Sequence, residues 1–328
     1  MTGTGIEQKR RDVACVLGTF GVRALAAVGL SILVGCAAPA APTGTQLDQV
    51  RPTALATMTR PADGAAMVYV PGGAFVMGSS DAEIREALAE CGNCPDDWFD
   101  AEKPQHEVDL PAYWIDKYEV TNGRYAQFIA AGGYDRREYW TGAGWEWKTR
   151  EGRRQPSYWD QPAWNQPDQP AVGVVWFEAV AYCRWAGAHL PSEAQWEKAA
   201  SWDPPAAAKV KYPWGDAWDR QKANTAELGL RRTTAVGQFC REAAGASPYG
   251  ACDMAGNAWE WCSTLHRPLP YAADDGREDL EAKGTRTLRG GSWINERHEA
   301  RAAYRLPPFP GDFILFDPTN GFRCAQDD

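Results

Sequence analysis

The sequence is short of histidine and carries no familiar catalytic fingerprint. Its four histidines are His106, His189, His266 and His298. None pairs with another at helical spacing, so a metal centre built from imidazoles on one helix face is excluded. H-E-x-x-H, a P-loop, G-x-S-x-G and a dinucleotide fingerprint are all absent. Positive charge is scarce too: 34 Lys and Arg against 43 Asp and Glu leave a net charge of -9. An acidic body is a poor match for nucleic acid, which demands clustered positive charge. The main apolar run, Ala24 to Val34, has 11 residues, too few to span a bilayer. No repeat at solenoid or propeller periods is visible.

What is abundant is aromatic and turn-forming: 16 Trp, 12 Tyr, 32 Gly and 23 Pro. This composition predicts a loop-heavy fold held by large, rigid side chains. The N-terminus reads as an export signal at residues 1–35, with Lys9-Arg10-Arg11 ahead of the apolar run. Leu33-Val34-Gly35-Cys36 resembles a bacterial lipobox, which makes Cys36 the lipid-modified first residue of the mature chain. Several acyl chains on one cysteine give a stable anchor, at about 0.8 kcal/mol per buried methylene. Pro- and Ala-rich residues 36–66 then read as a flexible tether, and 67–328 as the folded domain. The expected location is the cell envelope, on a lipid anchor facing periplasm or exterior. A Cys36→Ala variant that still labelled with palmitate and fractionated with membranes would overturn this expectation.

Within the domain, Met67–Gly73 alternates as a strand, and Ala74–Ser79 reads as its partner. Asp81–Glu90 predicts a short helix, and His106–Leu110 alternates again. Thr121 caps an expected helix through Ala131, with Tyr125 and Phe128 on one face. Residues 132–170 lack a period and read as ordered loop. Trp176–Ala188 predicts a helix with Phe177, Val180, Ala181 and Trp185 on one stripe. Ser192-x-x-Gln195 is a capping-box pattern that opens another helix.

Seven cysteines remain after Cys15 and Cys36, an odd number that predicts three bridges and one free thiol. Cys91-x-x-Cys94 reads as a redox motif or a local bridge. The bridge is the preferred reading, because no βαβ context surrounds it.

About eight sequence blocks occur in a telling order. They are V-P-G-G-x-F-x-M-G-S at 70–79, Glu119-Val120-Thr121-Asn122, Tyr182-Cys183-x-Trp185-Ala186-Gly187, Leu190–Glu197, Tyr212-Pro213-Trp214-Gly215, Asp253–Trp261, Leu288–Trp293 and Asn320–Ala325. This succession resembles the formylglycine-generating enzymes, or sulfatase-modifying factors. The resemblance covers roughly residues 67–325. It implies an α+β fold of the C-type-lectin-related kind, rich in loops. It implies structural calcium held by the side chains of Asp253 and Glu260 and the carbonyls of Gly256 and Ala258, a donor set of hard oxygens. A second site would begin at Asn224 and Thr225, with its acidic ligand falling near Leu228. The resemblance also pairs Cys183 with Cys324. Cys240 with Cys252 is then a reasonable further pair, leaving Cys262 as the free, buried thiol.

The resemblance breaks at the catalytic step. Formylglycine-generating enzymes hold Cu(I) on two cysteines after R-G-G-S, and here those positions are Asn295 and Ala300. Neither offers a soft anionic donor, so copper is not expected there. Trp259, Ser292, Trp293, Asn295, His298 and Arg301 are the expected lining of a binding cleft, with Glu296, Arg297 and Tyr304 on the same face. The resulting expectation is an envelope lipoprotein that binds a protein or small-molecule ligand. The alternatives are an oxidoreductase of the formylglycine-generating or a related metal-dependent type, and a structural part of an envelope assembly.

Overall fold

A computed structural model describes residues 55–307 and 317–328. The segment expected to be an export signal and Cys36 both lie outside the described residues. Among the described residues no helix is long and apolar enough to cross a membrane.

The first sheet is built from β1 (Thr57–Thr59), β2 (Ala66–Val70), β5 (Tyr113–Asp116) and β11 (Ala325–Asp327), all antiparallel and in the order β1-β2-β5-β11. The last strand therefore closes on strands from the start of the domain. Two smaller ladders pair β3 (Gly73–Met77) with β4 (His106–Leu110), and β6 (Trp202–Asp203) with β7 (Ala208–Lys209). The sheet beneath the candidate site has β8 (Trp259–Leu265) at its centre. β9 (Arg286–Arg289) runs antiparallel on one side of it, and β10 (Asn320–Gly321) parallel on the other.

The tether boundary needs correction. Residues 57–66 are not linker, because Thr57 pairs with Val68 and Thr59 with Ala66. The cause is Arg60, a cation buried between Asp63 and Asp116, with Nη1 2.8 Å from Asp116 Oδ1. Asp63 also accepts the Tyr182 hydroxyl at 2.6 Å, which ties this segment to the central helix.

Five α-helices occur among the described residues: α1 (Asp81–Cys91), α2 (Asn122–Ala130), α3 (Gly142–Arg150), α4 (Trp176–Trp185) and α5 (Glu193–Ser201). The expected caps form. Thr121 Oγ1 accepts from Arg124 N, and Ser192 with Gln195 closes a reciprocal capping box. Helix α3 lies inside the stretch read as loop. Its first turn holds two glycines, poor helix formers, but Thr141 caps it and Trp147 anchors it in the core. Helix α4 is not amphipathic as the stripe predicted: every residue from Trp176 to Cys183 is buried. It is a central helix surrounded by protein.

The largest core cluster wraps α2 and α4, where Tyr125 stacks on Tyr182 at 5.4 Å and Phe322 meets Tyr182 edge-on at 5.3 Å. Cys183–Cys324 is bonded inside this cluster. Cys91–Cys94 and Cys240–Cys252 are also bonded, and Cys262 is free and buried.

Candidate functional site

Strand β8 presents Trp259, and β10 begins with Asn320 beside it. Past β9, Gly290 and Gly291 take positive φ values of 93° and 74° and redirect the chain into the turn Ser292–Asn295. Asn295 N donates to Ser292 O, and Ser292 Oγ donates to Asn295 Oδ1 at 2.6 Å. Asn295 Nδ2 then donates to Glu299 Oε2 at 3.0 Å. The carboxamide at position 295 is thus a hydrogen-bonded strut between a serine and a carboxylate.

A cleft of about 710 Å³ opens over this turn. Trp98, Trp259 and Trp293 form its aromatic walls, Glu299 and Asp317 bring carboxylates, and Leu306 and Pro307 add apolar surface. Trp293 is braced by Trp164 at 5.7 Å between ring centroids, with the planes 30° apart. Its indole Nε1 is buried without a hydrogen-bond partner. Trp259 rests on Tyr304 at 6.0 Å.

The expected cleft residues divide three ways. Trp259, Trp293 and Asn295 line the cleft, while Ser292 is fully buried behind Asn295. Arg301 leaves the cleft: its guanidinium pairs with Glu102 through both terminal nitrogens, Nη2 to Oε1 at 2.6 Å, and packs over Phe99. A buried arginine satisfied by a buried glutamate has no charge to offer a ligand. His298 sits in a neighbouring depression beside Cys94. Ala300 is buried with Ala223 and Ala255, against Trp214 and Trp218. Glu296 is exposed, Arg297 is half-buried and Tyr304 is buried beneath Trp259. Sequence reasoning missed Trp98, Glu299 and Asp317. Glu299 had a signal, because it stands four residues after Asn295. Trp98 and Asp317 had none, since they come from other parts of the chain.

The proposed calcium segments lie side by side. Asn224 pairs with Gly256 as an isolated parallel bridge, and Asn257 N donates to Asn224 O at 2.8 Å. Gly256 has φ +76°, and a Cβ there would stand 2.3 Å from Asn224 O, so only glycine fits. Three carboxylates, Glu119, Asp253 and Glu260, share one buried neighbourhood with the single guanidinium of Arg323. Burial, with Asp253 and Glu260 nearby, holds the Glu119 carboxyl well above its usual range. Burial pushes Asp253 up to about 6, although Gly237 N donates to it.

Donor by donor, the fit to a hard cation is uneven. Asn224 Oδ1, Thr225 Oγ1 and Glu227 Oε2 are all buried and lack a hydrogen-bond partner. These are three orphaned oxygens within four consecutive residues, which is donor chemistry for Ca²⁺. Leu228 holds the position expected for the acidic ligand and has no side-chain oxygen, while the adjacent Glu227 already accepts from Arg297 N through Oε1. Asp253 also keeps an oxygen beyond the Gly237 bond. Glu260 fits less well, because Arg323 grips both of its oxygens and Trp196 Nε1 donates to one of them.

Comparison with known proteins bears on this geometry. The sulfatase-modifying factor enzyme 1-like domain matches residues 53–328, which includes the segment β1 had already placed in the fold. A hercynine oxygenase of Mycolicibacterium smegmatis is 39% identical over 287 residues, covering 82% of this chain and 63% of that protein. The chain therefore spans less than two thirds of that relative. A formylglycine-generating enzyme of Streptomyces coelicolor is 31% identical, covering 82% of this chain and 91% of its own length. Among solved structures, PvdO from Pseudomonas aeruginosa superposes with a TM-score of 0.58 at 23% identity, over 84% of this chain and 100% of that one. That likeness shows the fold. With a matching domain across nearly the whole folded region and relatives above 30% identity, the chain belongs to the sulfatase-modifying factor enzyme 1-like family.

Proposed function

We propose that the domain is a receptor for a small organic cation, held in the tryptophan-walled cleft and displayed at the cell envelope on the Cys36 anchor. The observation that carries this reading is the lining. Three tryptophans and two carboxylates face the cleft, and among the described lining residues there is no lysine or arginine. Aromatic faces attract a cation by about 0.5–2 kcal/mol each when desolvated, and the carboxylates add charge complementarity. A cleft of this volume suits a molecule of metabolite size. The orphaned Nε1 of Trp293 supplies a donor for a polar group on the same ligand.

Tetramethylammonium and choline, followed by tryptophan fluorescence, are suitable probes. Trp293→Ala is expected to weaken binding by at least about tenfold, and the neutral analogue 3,3-dimethylbutanol to bind about tenfold less well than choline. Equal affinity for choline and its neutral analogue would sink the cationic assignment.

A second reading, oxidation of the bound molecule, draws on the relatives described as hercynine oxygenase and formylglycine-generating enzyme. With Asn295 and Ala300 in place of the thiolates, the turn after Gly291 offers no soft donor pair for copper. Incubation with a Cys-x-Pro-x-Arg peptide, copper and oxygen tests this directly, since aldehyde formation would favour it over binding alone.

We also propose calcium at the Asn224–Glu227 and Asp253 segments, on the strength of the orphaned oxygens and the surplus of buried carboxylates. Bound there, the ion would hold two loops together beneath the cleft. At a hundredfold excess of calcium over its Kd the linkage is worth about 3 kcal/mol, or roughly 5–10 °C in Tm. A melting curve unchanged by chelator, with no calcium in elemental analysis, would remove the ion from the account.

A further inference from the structure

Beside the ligand cleft lies a second depression of about 430 Å³ that shares Trp98, Ile294 and Glu299 with it. Its floor brings together Cys91 and Cys94, at the C-terminal end of α1, and His298 from the turn after β9. The three potential ligand atoms all lie within 4.8 Å of one another, and His298 Nε2 stands 3.9 Å from Cys94 Sγ. Two donors sharing one metal, with metal–sulfur near 2.3 Å and metal–nitrogen near 2.0 Å, are separated by roughly 3.5 Å when tetrahedral and roughly 4.3 Å when linear. The observed separation falls inside that span.

His298 itself makes the case independently of the cysteines. It is 6% exposed, and its Nδ1 is buried without a hydrogen-bond partner. The Glu296 carboxylate stands 3.6 Å from Nδ1, short of a hydrogen bond but placed as a carboxylate behind a metal-bound imidazole is placed. A buried imidazole left this poorly satisfied is costly unless it has another partner. On the other side of the ring, Nε2 faces Cys94 Sγ of the Cys91–Cys94 pair.

We propose that Cys91, Cys94 and His298 form a redox-gated site for a soft metal ion, filled by Cu(I) when the bridge is open. Two thiolates and one imidazole select a soft ion, and three protein donors suit the low coordination number of Cu(I). Zn²⁺ would want a fourth. In the bonded state the sulfurs are spent on each other and the site is closed. A dithiol opens it: the Cys91–Cys94 bond breaks, both sulfurs gain a proton, and the donor loses two electrons and two protons to become a disulfide. Cu(I) then displaces both thiol protons to solvent. The site differs from the positions Asn295 and Ala300, yet the shared Trp98, Ile294 and Glu299 put it at the edge of the cleft. It does not depend on the ligand proposed above, since it is read from metal uptake.

The test uses the full-length protein, reduced with a dithiol, desalted without oxygen and titrated with Cu(I) against bicinchoninate. One equivalent is expected to bind the reduced protein and none the oxidised protein. Cys91→Ser/Cys94→Ser should lose at least about a hundredfold in affinity, and His298→Ala at least about tenfold. Unchanged copper binding by the double serine variant would place the metal elsewhere and overturn the site. Zinc uptake with no Cu(I) uptake would overturn the choice of metal. X-ray absorption of the copper-loaded wild type needs no variant: two sulfur neighbours and one nitrogen are expected, and sulfur alone rejects His298.

Discussion

Arg323→Met is expected to destabilise the domain by about 3–5 kcal/mol, the usual effect of removing one partner from a buried ion pair. Arg323 is fully buried and grips Glu260 through Nε and Nη2, both at 2.6 Å. Its remaining donors reach the carbonyls of Asp116, Lys117 and Cys252. One side chain thus joins the C-terminal segment to the end of β5 and to the loop before β8. Burial alone would discharge it, but Glu260 and the neighbouring acids hold the guanidinium above its ordinary value. Methionine fills similar volume and provides no donor, so Glu260, Glu119 and Asp253 would face one another uncompensated. Arg323→Lys restores the charge but not the planar fork, and should recover less than about half of the loss. Chemical denaturation of the three proteins checks the order wild type, Lys, Met. Equal stability of wild type and Met would mean that the acidic cluster needs no cation.

Removing the Cys183–Cys324 bridge should cost up to about 5 kcal/mol by the loop-entropy model, because it closes by far the longest loop of the three bridges. The bonded residues are 141 apart. Both sulfurs sit in the aromatic core beside Tyr182 and Phe322, where a Cys183→Ala/Cys324→Ala pair leaves small apolar groups rather than a buried polar one. The loss is then mostly denatured-state entropy, and it should appear as a fall in denaturation midpoint with native-like tryptophan fluorescence retained. Cys240–Cys252 closes a loop of separation 12, so its removal should cost about 3 kcal/mol by the same relation. If the two double variants are equally stable, loop length does not set the effect.

Much of this architecture was legible in local pattern. The caps at Thr121 and Ser192 and helix α1 follow from residues close together in the chain. Strand pairing does not: the alternation suggests Ala74–Ser79 as the partner of Met67–Gly73, whereas β2 pairs with β1 and β5, and β3 with the distant β4. Helix α3 escaped because its glycines and tryptophans have no helical stripe, and packing supplies what propensity does not. The segment 57–66 escaped for a related reason. Its composition is that of a linker, and contacts distant in sequence, Arg60 with Asp116 56 residues away and Asp63 with Tyr182, hold it in the fold. Arg301 looked available to a ligand by its position after the glycine turn. Glu102, 199 residues away in sequence, takes its charge.

By itself, the sequence determined the family, the α+β class, the odd thiol and the absence of cysteines at 295 and 300, since each is written in residue identity and order. The tertiary structure decided which groups share a surface. Trp98, Trp293 and Asp317 make one cleft, and Cys94 meets His298, because strands β8, β9 and β10 bring together chain segments hundreds of residues apart. Such meetings depend on the packing of the whole domain, and a local pattern of side chains carries no record of them.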